Sequence, residues 1–438
     1  MTTGATAAEG ATIFAVASGA GRAAITVVRI SGPLSAGMLD RLCRRRPPPR
    51  LAALRTLRSR SGDVLDRALV LWFPAPGSYT GEDSAELHLH GGRAVLASVC
   101  EALLEAGARP AEAGEFTRRA FLNGRLDLLQ AEAIADLVEA ETEAQRRQAL
   151  TQMEGALGDL YRDWTSRLII LLAAQEALID FPDEDLPPEA ADGLGSDLAA
   201  LRAEIVAHLD DHRRGERLRD GLVFAITGPP NAGKSTLINA LARREVAIVS
   251  PHPGTTRDVL EVRLDIGGVP VTLLDTAGLR ETNDPVEAEG VRRARARGAA
   301  ADLVIELVDA TAPGLVRSAG AAGVLRIATK VDLAPAPGDV DLGVSAPVGI
   351  GMDRLEAQLA GAARRLTARA GPPPLTRARH RAALAEAAER LASAIEAPLP
   401  ELRGEDLRLA LRAIGRVTGQ VGVEDILDSV FGQFCIGK

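Results

Sequence analysis

Gly228-Pro229-Pro230-Asn231-Ala232-Gly233-Lys234-Ser235 is the stretch on which the fold turns. It fits the pattern G-x-x-x-x-G-K-[ST] and stands between an apolar run, Leu222 to Thr227, and a helix-like segment that opens at Thr236. In that setting glycines let backbone N–H groups wrap a phosphate chain. Lys234 then bridges the β- and γ-oxygens, and the Ser235 hydroxyl ligates Mg²⁺. Three further apolar runs follow, Val269 to Leu274, Leu303 to Val308 and Val324 to Thr329, alternating with helix-like segments. This alternation predicts a P-loop domain built on a parallel sheet over 220–370.

Working outward, Asp275-Thr276-Ala277-Gly278 ends the next strand, where Asp275 can hold the Mg²⁺ shell and the Gly278 N–H can sense a γ-phosphate. Between them, Gly254-Thr255-Thr256-Arg257-Asp258 offers loop hydroxyls, with Thr256 placed to complete the metal shell when triphosphate is bound. Thr329-Lys330-Val331-Asp332 resembles the guanine-reading N-K-x-D motif of GTPases. Asp332 would accept from guanine N1 and N2, with the Lys330 stem beside the base. Thr329 replaces the usual Asn and removes an amide that helps fix the base and brace the phosphate loop, so lower guanine affinity is expected. Ser345-Ala346 falls where a last guanine-contacting loop belongs.

The 438 residues suggest about three domains. Apolar residues at 46% and charged residues at 25% exclude wholesale disorder and rod-like repeats. A net charge of −8 confines any nucleic-acid contact to a local basic face. Cys43, Cys100 and Cys435 are too scattered for a disulfide framework, which points to the cytoplasm. Leu168 to Ala174, the most apolar run, is far shorter than the roughly 20 residues that span a bilayer, so no membrane insertion is expected. Basic positions are almost all arginine: Lys234, Lys330 and Lys438 are the three lysines, and all fall in motifs.

Residues 1–126 mix strand-like runs with Gly and Pro breaks and read as an α+β domain. From 127 to 219 the pattern is helical, with an amphipathic stripe through Leu150, Met153, Leu157, Leu160, Tyr161, Trp164 and Leu168. Helices resume over 371–438, beyond Gly371-Pro372-Pro373-Pro374. The two helical blocks are expected to form one discontinuous domain into which the P-loop domain is inserted. His88 and His90 alternate on a strand without an evident third metal ligand, and Arg292, Arg293, Arg295 and Arg297 form a basic helical cluster.

The order GPPNAGKS, GTTRD, DTAGLRETND, TKVD and a closing Phe434-Cys435-Ile436-Gly437-Lys438 closely resembles the MnmE (TrmE) family of tRNA-modification GTPases over essentially the whole chain. Leu279 cannot orient water; the resemblance assigns that role to Glu287 and makes Asn231 a K⁺ ligand standing in for an arginine finger. It also implies an N-terminal domain that dimerises and binds 5,10-methylene-tetrahydrofolate, or 5-formyl-tetrahydrofolate as its analogue. The matching residues are Arg29, Glu86, Arg125, where lysine is more common, and Lys438. Cys435 becomes a catalytic residue of uridine modification. The implied assembly is a homodimer that joins the flavoprotein MnmG, which carries FAD, in a heterotetramer acting at C5 of the wobble uridine of tRNA, with GTP hydrolysis driving conformational cycling. Rival readings are a GTP-dependent assembly or signalling switch without modification chemistry, and a folate enzyme with a degenerate GTPase.

Overall fold

The computed structural model describes residues 10–19, 21, 23–180, 188–244, 246–247, 261–275, 301–312, 323–368, 372–420, 427, 430–432, 434, 435 and 437. They fall into two compact units. The first comprises Met1–Ala135, Met153–Thr165 and Leu411–Lys438, and the second Asp136–Gln152 and Ser166–Ala410.

The first unit carries β1 (Ile13–Val16), β2 (Ile25–Ser31), α1 (Ser35–Cys43), β3 (Ala53–Arg58), β4 (Val64–Phe73), β5 (Ser84–His90), α2 (Arg93–Glu105), β6 (Arg109–Pro110) and α3 (Glu115–Leu122), and α4 (Leu128–Glu139) begins in it. Its six strands lie in the order β3-β4-β5-β2-β1-β6, antiparallel except for the β1–β6 pair. Period-2 alternation sets the two faces: Ala68, Val70 and Trp72 of β4 are buried, whereas Arg67 and Leu69 are exposed. The covered face packs with Met38, Leu39 and Leu42 of α1 and with Val99 and Leu103 of α2. Near the end of the chain Leu427, Val430, Phe431 and Phe434 join Leu128 and Ala131 in a second apolar cluster.

Next come α5 (Glu143–Met153), α6 (Ala156–Asp180), α7 (Pro188–Leu209), α8 (Arg214–Asp220), β7 (Leu222–Thr227), α9 (Lys234–Arg244), β8 (Val246–Ala247), β9 (Glu261–Ile266), β10 (Val269–Asp275), β11 (Leu303–Asp309), β12 (Val324–Thr329), β13 (Leu342–Gly343), α10 (Met352–Thr367), α11 (Ala378–Glu396) and α12 (Pro400–Thr418). The amphipathic stripe buries Leu157, Tyr161, Trp164 and Leu168 as the spacing predicts. It does not lie on one helix, however. Gly155, at φ +92°, separates α5 from α6, and left-handed backbone ends a helix even where apolar spacing runs on.

The second unit holds a seven-stranded sheet in the order β13-β12-β11-β7-β10-β9-β8. Five strands pair in parallel, but β9 runs against them, pairing antiparallel with β10 on one side and with β8 on the other. The expectation of a parallel sheet is therefore corrected to a mixed one. Gly267 (φ +63°) and Gly268 (φ +87°) form a two-residue hairpin turn, a geometry that requires positive φ at both positions. The central β7, β10 and β11 bury Phe224, Ile226, Val271, Leu273, Ile305 and Leu307 in the core. The carboxyl ends of β7, β10 and β12 deliver the phosphate loop, Asp275 and Thr329, the edge at which α/β sheets bind ligands.

Candidate active site

Backbone geometry prepares the phosphate loop. Gly228 has φ +145°, and a Cβ there would stand 2.8 Å from the Leu307 carbonyl oxygen, so only glycine fits beside β11. Asn231 (φ +65°) and Gly233 (φ +88°) also take left-handed conformations, curling the chain into α9. Lys234 is buried, and its ammonium donates to the carbonyl oxygens of Gly228 at 2.8 Å and Pro229 at 2.7 Å. The Ser235 hydroxyl donates to Asp275 Oδ2 at 3.2 Å. Ala232 is fully buried, whereas Asn231, Ser235 and Thr236 are exposed.

Thr329 corrects one expectation. Its hydroxyl donates to the Ala232 carbonyl oxygen at 2.8 Å, so the brace on the phosphate loop that an asparagine amide was expected to supply is present. A buried hydroxyl-to-carbonyl bond contributes about 1 kcal/mol, and leaving the carbonyl unpaired costs a similar amount or more. Thr329→Ala is accordingly expected to weaken GTP binding by roughly 5- to 10-fold. Thr329→Ser should retain most of the affinity; equal affinities for all three proteins, measured by calorimetry, would remove the brace from the account.

Lys330 (φ +60°) places its ammonium 2.5 Å from Asp309 Oδ2, and this contact, with the Thr311 hydroxyl, holds the Asp309 carboxyl below its usual range. Asp332 is exposed beside it. Ser345 is fully buried, with its N–H bonded to the Ile350 carbonyl oxygen at 2.9 Å, and Ala346 packs partly buried against the core. Thr255, Thr256, Gly278, Glu287 and the arginines 292, 293, 295 and 297 lie outside the described residues, as does Lys438.

In the first unit, strand register brings together two residues separated by 57 positions. Arg29 on β2 faces Glu86 on β5, and the guanidinium donates to Glu86 Oε1 through Nε at 3.2 Å and Nη2 at 3.0 Å. Both line a cavity of about 180 Å³ with Phe73, Tyr79 and Arg50. The Arg29 guanidinium carbon lies 5.4 Å from the Tyr79 ring centre and 5.8 Å from that of Phe116, a cation–π arrangement. Burial pushes the Tyr79 phenol above its usual value, although a hydrogen bond with the Thr117 hydroxyl (2.9 Å) and the charge of Arg29 oppose the shift. Arg125 is exposed, but its stem lies against Gly81, in the loop that borders the cavity.

Sequence reasoning missed Tyr79, Arg50 and Phe116 as members of this site. The signal available for Tyr79 was its rarity, since the chain has only two tyrosines. His90 is held by Asp66, with Nδ1 and Oδ1 2.7 Å apart, and His88 Nε2 lies 3.6 Å from Glu86 Oε2. Among the described residues no cluster of His, Cys, Asp or Glu could hold a metal ion. The cysteines differ in setting: burial pushes the Cys43 thiol up to about 11 and raises that of Cys100, whereas Cys435 is exposed.

Two family models match the chain: the MnmE helical domain over residues 128–435, and the GTP-binding protein TrmE N-terminus over residues 12–125. A tRNA modification GTPase MnmE of Gluconacetobacter diazotrophicus is 61% identical over 97% of this chain and 98% of its own length. Proteins of the same description from Granulibacter bethesdensis, at 57% identity over 98% of this chain and 99% of theirs, and Rhodospirillum rubrum, at 56% over 98% and 99%, are similar along the same span. A phosphate loop with its lysine, serine and aspartate in place, together with full-length likeness of this degree, leads to one assignment: the chain belongs to the MnmE family of tRNA modification GTPases.

Proposed function

We propose that this protein is a potassium-activated GTPase that acts with MnmG to add an aminomethyl or carboxymethylaminomethyl group at C5 of the wobble uridine of certain tRNAs. The observation that carries the reading is one chain holding both a pre-shaped phosphate loop and an Arg29–Glu86 cavity in its other unit. A simple nucleotide switch has no use for the second.

In this reading residues 220–370 form the GTPase domain. Residues 1–126 dimerise and bind folate, and 127–219 with 371–438 supply the helical domain. Asn231 to Thr236 cradle the GTP phosphates, and Asp332, with Lys330 and the Ser345-Ala346 loop, selects guanine. Ser235 and Asp275 bring hydroxyl and carboxylate oxygens together at 3.2 Å, a donor pair suited to a hard divalent cation. With Thr256 these residues would hold Mg²⁺, which when bound neutralises charge on the β- and γ-phosphates. Asn231 offers an exposed amide oxygen for K⁺. Thr255 and Gly278 attend the γ-phosphate, and Glu287 positions the attacking water.

Glu86 pairs with the N–H groups of a pterin, while Arg29, Arg125 and Lys438 meet the anionic tail of the one-carbon donor. Cys435 supplies the thiol for uridine activation, and FAD resides on MnmG. The setting is cytoplasmic, where tRNA, GTP and reduced thiols coexist. Steady-state GTP hydrolysis in matched K⁺ and Na⁺ buffers tests the least generic part of this proposal. Strong activation by K⁺ that disappears in Glu287→Ala is the expected result; equal rates in the two salts would sink the cation mechanism.

A further inference from the structure

Residues 40–67 carry nine arginines and three aspartates, a net +6 in a chain whose total is −8. All three carboxylates are engaged locally. Asp40 is bound by Arg46 at 3.2 Å, Asp63 accepts from the Ser61 hydroxyl at 2.6 Å, and Asp66 is held by His90 at 2.7 Å. Among the described residues Arg41, Arg44, Arg45 and Arg60 are exposed and pair with no carboxylate.

Three of the nine arginines, Arg41, Arg58 and Arg60, border a concavity. A cleft of about 490 Å³ opens between the C-terminal ends of α1 and α2 and the β3–β4 hairpin, lined by Arg41, Arg58, Ser59, Arg60 and Glu105. The hairpin wall is fixed: Arg58 Nη1 donates to the Gly62 carbonyl oxygen at 2.8 Å, and the Ser59 and Ser61 hydroxyls are 2.7 Å apart. Two free guanidinium groups, on α1 and on the hairpin, thus border one cleft from different elements. Glu105 is the single acid among its lining residues, and it forms no ion pair among the described residues.

We propose that this cleft binds a backbone phosphate of the tRNA substrate. The inference rests on tRNA being the substrate, as proposed above, but concerns side chains to which no role is assigned there. Planar guanidinium forks match phosphate oxygens in bidentate geometry, and a polyanion suits a basic cleft on a chain that is otherwise acidic. Contacts of this kind position the RNA without reading its sequence.

The test uses the full-length protein and unmodified tRNA transcript, with affinity measured by fluorescence anisotropy across a series of salt concentrations. Arg41→Ala/Arg60→Ala removes two side chains that form no hydrogen bond or ion pair among the described residues. It should weaken binding by about 10-fold at low salt and reduce the slope of log K against log salt by between about 1.4 and 1.8. Arg67→Ala is the control, since Arg67 lies on the opposite face of β4, and it should leave affinity unchanged. Wild-type and double-variant proteins with equal affinities and slopes would overturn this proposal alone. A wild type that binds no tRNA would overturn both it and the functional reading beneath it. Unchanged tRNA binding with weakened attachment to phosphatidylserine vesicles would assign the arginines to a membrane surface and likewise overturn the proposal.

Discussion

Replacing Lys234 by alanine is expected to lower GTP turnover at least about 100-fold, and replacing it by arginine should restore little. An ammonium has three donors, and two of those on Lys234 are held by the loop carbonyls of Gly228 and Pro229. The loop carbonyls therefore orient the ammonium within the curl of the phosphate loop. A planar guanidinium, with donors in a rigid fork, cannot satisfy two carbonyls 2.7 to 2.8 Å away from one buried point and still reach a phosphate. That geometry gives a reason why lysine stands here in a chain that otherwise uses arginine almost throughout. Phosphate release at saturating GTP, with melting temperatures to verify folding, provides the measurement. Turnover near wild type in Lys234→Arg would show that charge alone suffices and that the carbonyl cradle plays no part.

The phosphate loop was legible because its chemistry is local: glycine, lysine and serine at fixed offsets serve one ligand, and the neighbouring strand and helix follow from runs of apolar residues. The β9–β10 hairpin was harder to read. Its strand β9, Glu-Val-Arg-Leu-Asp-Ile, alternates polar and apolar residues, whereas β10 is buried along its whole length, so only the second showed as an apolar run. Gly267-Gly268 held the missing turn signal. The break at Gly155 was hidden for the opposite reason, because the apolar spacing continues across it.

The cavity in the first unit shows where residue patterns stop informing. Arg29 and Glu86 meet only because β2 and β5 pair in one register, and a shift of one residue would send the two side chains to opposite faces. Spacing along the chain contains no trace of that pairing; resemblance to a family supplied the residues, but not their ion pair. Tyr79 and Phe116 were invisible as site residues for the same reason, since each contributes through a ring face turned toward Arg29 by tertiary packing. Thr329 illustrates a subtler limit. The substitution was legible, but its consequence depended on a hydroxyl reaching Ala232, 97 positions away.

Gly437→Ala is expected to abolish tRNA modification while sparing GTP hydrolysis, a separation that the two-unit division of the chain makes possible. Gly437 has φ +104°, where an L side chain is strained, and an added Cβ would stand 2.2 Å from the Val16 carbonyl oxygen. The obstacle is the backbone next to β1, so it cannot be relieved by turning a side chain. The strain costs about 1–3 kcal/mol before any clash is counted, more than a short tail segment can hold against. The tail must therefore leave its seat, taking with it Cys435, whose exposed thiol is the proposed reactive group. Lys234, Ser235 and Asp275 belong to the other unit. Cys435→Ser completes the comparison: it should lose modification as well, but with the tail seated. Limited proteolysis distinguishes the two variants, because only Gly437→Ala should expose the segment to cleavage. Full modification by Gly437→Ala with an exposed tail would mean that the position of Cys435 is irrelevant to the reaction, and its assignment as the reacting thiol would have to be withdrawn.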